Sequence, residues 1–99
     1  MSEQHGEGQN VSAAERWLAR FPVPAQRVVA SWFAHVKSKG ATTPDDMVAQ
    51  VVVFLGYKQQ WAVTTSTRQL CDNTLQALVC DRQGALALAQ SVLDQTAWP

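Results

Sequence analysis

Histidine, cysteine and paired carboxylates are the side chains whose types allow chemistry at neutral pH, and this chain holds few of them. There are two histidines, His5 and His35, and two cysteines, Cys71 and Cys80. Cys71 falls near the start of a helix that Ser66 opens, where the helix dipole lowers a thiol pKa. It also belongs to an apolar stripe, which makes it a buried, inert thiol. His35 stands near a helix C-terminus, where an imidazole faces solvent and is favoured as a charge rather than as a catalytic base. Asp45 and Asp46 are adjacent and diverge around a helix axis, whereas acid–base work requires carboxylates that converge on a substrate. The histidines and cysteines lack the close pair spacing of a structural zinc site. No Gly-rich phosphate loop appears. The expectation is a non-enzymatic protein with no catalytic residue, metal or cofactor site.

Apolar surface carries more weight than reactive groups. In Met47-Val-Ala-Gln-Val-Val-Val-Phe-Leu55, Gln50 is the only polar side chain, so a helix here has no ordinary solvent face. Projected at ~100° per residue, Met47, Val48, Val51, Val52 and Leu55 fill one arc, Ala49, Gln50 and Val53 point the other way, and Phe54 lies at the edge. One arc suits a core, and the other requires a second cover. Tyr57 and Trp61 follow where the chain leaves this helix, and Trp98 stands one residue from the end. Large aromatic residues dominate binding hot spots because they bury much area at little entropic cost. Ala49, Val53, Phe54, Tyr57, Trp61 and Trp98 are the candidate partner-binding residues. The competing reading folds the terminal segment bearing Trp98 over this same surface.

A nucleic-acid interface is the alternative. The best recognition helix is the one after Ser66, with Arg68, Gln69, Asn73 and Gln76, reinforced by Lys58 and Arg82. Asp72 and Asp81 sit among them. Eight Lys and Arg against eight Asp and Glu give zero net charge, with five of each sign in residues 1–50 and three of each in residues 51–99. Phosphate contacts supply most non-specific affinity, so this balance disfavours nucleic acid and anionic membranes. Charged residues are 16% of the chain, against a typical ~25%. Such a surface gives little electrostatic protection against association, which favours a complex or a homodimer.

These residues require helices to position them. Residues 1–10 contain no apolar side chain after Met1 and predict a disordered tail. Ser12-Ala-Ala-Glu15 has the form of a capping box ahead of Ala14, Trp17, Leu18 and Phe21. Pro22 and Pro24 separate this short helix from a second one whose stripe is Val28, Val29, Trp32, Phe33 and Val36, with Gly40 as its left-handed stop. Thr43-Pro-Asp-Asp46 opens a third helix through an N-cap, a first-position proline and two first-turn carboxylates. Without that signal, Val51–Leu55 and Trp61–Thr65 would also suit a hairpin. Ser66-Thr-Arg-Gln69 opens a fourth helix, with a stripe of Leu70, Cys71, Thr74, Leu75, Leu78 and Val79. Asp81 to Gly84 interrupts the pattern before a small-residue-rich fifth helix over Ala85, Leu88, Ala89, Val92 and Leu93.

The predicted class is all-α: one domain over residues 11–99, a compact bundle of about five helices. Cys71 and Cys80 lie on opposite faces of one helix, ~13 Å apart along it, and cannot bridge each other. Unpaired thiols, and the lack of an apolar core after a basic start, predict a cytoplasmic protein. The absence of isoleucine, with abundant Ala and Val and only three lysines, suits a bacterial or phage source. The functional expectation is a small regulator that docks an apolar helical face on a larger protein, as an anti-activator, inhibitor or adaptor, or on itself. A helical DNA-binding transcriptional regulator is the alternative.

Overall fold

The computed structural model describes the backbone of residues 7–94 and the side chains of residues 13–94. Five helices follow in order: α1 (Glu7–Leu18), α2 (Val23–Ser38), α3 (Pro44–Gln60), α4 (Thr65–Cys80) and α5 (Arg82–Asp94). The architecture is all-α, and no strand occurs among the described residues, so the hairpin around Gly56 does not form.

The start signals act as local chemistry demands. Thr43 adopts an extended backbone, and its hydroxyl oxygen accepts from the Asp46 amide at 3.1 Å, with Pro44 behind it and Asp45 and Asp46 in the first turn. This cap commits the β-branched run after it to a helix. The end of α2 is a Schellman motif: the Ala41 amide donates to the Val36 carbonyl and the Gly40 amide to the Lys37 carbonyl. Gly40 has φ +112°, which only glycine adopts without strain.

Three boundaries differ from expectation. α1 starts at Glu7, inside the stretch expected to be a tail, so Ser12 lies within the helix rather than capping it. α4 is capped by Thr64, whose hydroxyl accepts from the Thr67 amide at 3.2 Å, so the Ser66 capping box is displaced by two residues. The interruption after α4 shrinks to Asp81 alone. Its carboxylate accepts from the Gly84 amide at 3.1 Å and caps α5, and so the chain turns between two helices with one residue.

α5 packs against each of the other four helices. Its core residues are small or medium: Gly84, Ala85, Ala87, Leu88, Ala89 and Val92. Small side chains let neighbouring backbones approach, and that lets one short helix serve four partners. Trp17 from α1 is fully buried, in edge contact with Phe21 at 5.4 Å and Phe33 at 5.8 Å. Its indole N–H donates to the Ala77 carbonyl of α4 at 3.2 Å. Ala77 therefore takes a core position, while Val79, expected in the stripe, is 80% exposed. The α4 core face is rotated toward Cys71, Thr74, Ala77 and Leu78 by this contact, and Val79 falls on the same side as Arg68 and Asp72. Val52 likewise leaves its expected core arc, because Met47, Val48, Val51 and Leu55 already fill the α3 side of the core.

Polar groups tie the bundle at its edges. The Lys37 ammonium donates to the Val92 carbonyl at 2.9 Å, joining the end of α2 to the end of α5. Arg20 meets Asp81 at 3.2 Å and Arg82 meets Asp45 at 2.8 Å, both exposed pairs of small energetic weight. Among the described residues no buried side-chain nitrogen or oxygen lacks a hydrogen-bond partner.

Gly84 is the position where packing leaves no room for a side chain. A Cβ there would lie 2.8 Å from Trp17 Cδ1 and 3.0 Å from Trp17 Cβ. Gly84→Ala is expected to destabilise the fold by about 1–3 kcal/mol through overpacking, despite the higher helix propensity of alanine. Urea unfolding followed by circular dichroism measures this, and an unchanged midpoint would mean that α1 does not seat on α5 as described.

Candidate protein-docking face

α3 has a covered side and an open one. Met47, Val48, Val51 and Leu55 are buried. On the opposite side Ala49 is exposed, Val53 is 59% exposed, Tyr57 65% and Trp61 76%. Four of the six candidate anchors thus share one exposed face. Phe54 is half-buried at its edge, held by Trp32 at 6.5 Å and by His35 at 4.9 Å between ring centres, with the Lys58 ammonium 5.8 Å from its ring centre. Trp98 lies outside the described residues.

Phe54 forms a ridge between two concave regions. One, of about 500 Å³, runs past Tyr57, Lys58, Trp61 and Val63 to Thr64 and Thr67. The other, of about 330 Å³, is bounded by His35 and Lys39 of α2 and by Ala49, Gln50 and Val53 of α3. Both are apolar troughs edged by cations. Such relief suits aromatic or aliphatic anchors of a protein better than a small polar substrate.

Three contributors were not legible as members of this face. Val63, 95% exposed, extends it through the α3–α4 connection, where its alternation with Trp61 and Thr65 reads as strand. Val52, 39% exposed, borders it from the other side. Gly56 sits on the outer side of α3 with no atom within 4 Å of where a Cβ would stand. A glycine in a helix interior costs about 1 kcal/mol relative to alanine, and packing within the described chain supplies no reason for it.

The α4 surface presents a different balance. Arg68, Gln69, Asn73 and Gln76 are exposed on α4, with Asp72 among them. The Arg68 guanidinium donates to the Ala62 carbonyl at 3.1 Å, and Arg82, at the start of α5, donates to Asp45 at 2.8 Å. Arg68 is held by a backbone carbonyl, whereas the exposed Arg82–Asp45 pair is weak and leaves Arg82 able to change partners.

The reactive side chains are dispersed. Asp45 pairs with Arg82, whereas Asp46 accepts from the Gln50 amide at 3.0 Å, so the two carboxylates serve different partners. His35 is exposed and lies against Phe54. Cys71 is fully buried and Cys80 exposed, with no disulfide between them. Burial pushes the Cys71 thiol above its ordinary pKa, and the nearby Lys58 ammonium opposes this only in part. The position near the α4 N-terminus does not make it a thiolate. Among the described residues no three His, Cys, Asp or Glu side chains cluster to hold a metal ion, and no helix is long and apolar enough to cross a membrane.

Compared with protein-family models, with curated proteins and with solved structures, the chain matches none.

The two thiols should differ sharply in reactivity. With a disulfide reagent at pH 8, Cys80 is expected to react within seconds and Cys71 only at the rate of opening of the fold, at least about a hundredfold slower. Rapid modification of both thiols would show that Cys71 is accessible.

Proposed function

We propose that this chain is a small non-enzymatic regulatory protein, of the antagonist, adaptor, anti-activator or inhibitor type, that works by docking the outer face of α3 onto another polypeptide, a partner protein or a second copy of itself. The observation that carries the reading is the exposure of Val53, Tyr57 and Trp61 on one side of a helix whose other side is core. Scattered apolar residues on a surface are ordinary, but contiguous ones on a weakly charged domain mark an interaction site. Tyr and Trp combine a large apolar area with a polar tip, as binding anchors require. A cytoplasmic setting in a bacterium or phage fits the free thiols and the composition. Zero net charge and the Asp72 carboxylate among the α4 amides leave the nucleic-acid reading without a comparable observation in its favour.

The test compares wild type with Val53→Arg and Trp61→Ala. Both positions are exposed, so helix content and unfolding midpoint should change little, within about 0.5 kcal/mol. Binding should fall by about 2 kcal/mol or more, roughly thirtyfold, because a buried charge or a lost anchor acts at the centre of the contact. Retention of partners from nuclease-treated lysate and sedimentation behaviour read this out. Identical behaviour of all three proteins would remove the docking reading.

A further inference from the structure

The outer face of α3 has a pattern that matches itself when reversed, and this deepens the docking reading, on which it rests, by naming an occupant. Ala49 and Gly56 lie equally far, roughly 5 Å along the helix, on either side of Val52 and Val53. Under a two-fold axis across α3 at Val52–Val53, the small Ala49 of one copy faces the small Gly56 of the other, and the valines meet at the centre. Two helix backbones approach closely where small residues oppose each other. The glycine that has no packing reason within the chain then has one between chains.

The same operation places a knob on a hole. A two-fold axis lying in the contact plane reverses direction along α3 but keeps each lateral side on its own side. By helix phase Tyr57 lies on the lateral side of Phe54, as does the trough walled by His35 and Lys39, which runs from Ala49 to Phe54, one turn N-terminal to Tyr57. Reversal therefore brings each Tyr57 ring to the other copy's trough of about 330 Å³, where Lys39 is available to its π-face. Asp46 comes opposite the amide of the other copy's Gln60 rather than a second carboxylate. Zero net charge adds no long-range repulsion between copies.

The area is adequate. Tyr57, Trp61, Val52, Val53 and the edge of Phe54 expose roughly 500 Å² per copy, and the polar rim brings this near the ~800 Å² per partner of a standard interface. We propose that a second copy of this chain covers the α3 face, with the two α3 helices antiparallel and the Tyr57 of each copy seated in the other's trough.

Sedimentation velocity over a concentration series, with site-directed cross-linking, tests this. The wild type is expected to dimerise at concentrations up to about 100 µM. Gly56→Leu fills open space in the monomer, so helix content should hold while the dissociation constant rises at least about tenfold; Val53→Arg should act likewise. In a Cys80→Ser background, Val53→Cys should form a disulfide with itself. Ala49→Cys and Gly56→Cys should cross-link when mixed and neither should when alone. A monomeric wild type across the series, self-linking of Ala49→Cys as in a parallel pair, or a dimer indifferent to both Gly56→Leu and Val53→Arg would each overturn the proposal. If the wild type is monomeric yet Val53→Arg loses a nuclease-resistant partner protein, the two-fold arrangement falls while the docking reading stands.

Discussion

The indole of Trp17 is the constraint on which the bundle depends. A buried Trp needs room for its two rings and an acceptor for its N–H, because an unsatisfied buried donor costs about 1–3 kcal/mol. The Ala77 carbonyl supplies the acceptor, Gly84 supplies the room, and Phe21 and Phe33 present ring edges to the indole. One side chain of α1 thereby sets the rotation of α4, the entry of α5 and the position of α2. The Arg20 guanidinium, 5.9 Å from the Trp17 ring centre and paired with Asp81, closes the same corner from the solvent side.

Once α1 and α4 are seated, α5 becomes the centre of the fold, and its alanines decide how apolar area is shared. A helix whose core face is mostly Gly and Ala, with Leu88 as its one large fully buried side chain, buries little area per residue, so its neighbours contribute most of the large ones: Trp17, Trp32, Phe33, Met47 and Leu55. α3 meets this demand with one side only. Its other side keeps Val53, Tyr57 and the glycine at 56, and the described chain has no further element to lay across them. The open face is a consequence of four helices packed around one short, small-residue helix. The proposed docking and self-pairing both use surface that this arrangement leaves over.

Electrostatics separates the two surfaces that sequence alone presents as rivals. On α4 the one cation, Arg68, donates to the Ala62 carbonyl, and the carboxylate of Asp72 lies among the amides. Beside the α3 face, Lys39 from the end of α2 and Lys58 of α3 edge apolar troughs, and Lys58 lies near the Phe54 ring. A cation against an aromatic face is compatible with a dry contact, whereas phosphate recognition depends on cations that displace the counterions condensed on the nucleic acid.

How much was legible follows the range of each interaction. Thr43-Pro-Asp-Asp46, Gly40 and the 3.6-residue spacing of Trp32, Phe33 and Val36 act within a few residues, so the all-α class, the α3 start and the α2 stop could be read from the chain alone. Ala49 and Val53 could be read as an uncovered arc for the same reason, since helical geometry puts them opposite Met47, Val51 and Leu55, while Tyr57 and Trp61 stood out as large aromatic residues where the chain leaves the helix. Periodicity puts Val79 and Val52 in core stripes and the fold leaves both exposed, because an apolar residue at the edge of a stripe goes in or out according to which neighbour occupies the core. The displaced starts of α1 and α4 belong with them, since Thr64 and Ser66 both offer a capping hydroxyl and only the chain's path chooses between them. Local rules therefore determined the helices and the arc of α3 that would want a cover. Only tertiary structure decided that Trp17 turns Ala77 inward, that α5 takes the centre, and that His35 and Lys39 cross from α2 to wall a trough beside Ala49. Contacts between residues far apart in the chain depend on volumes and angles that periodicity does not encode.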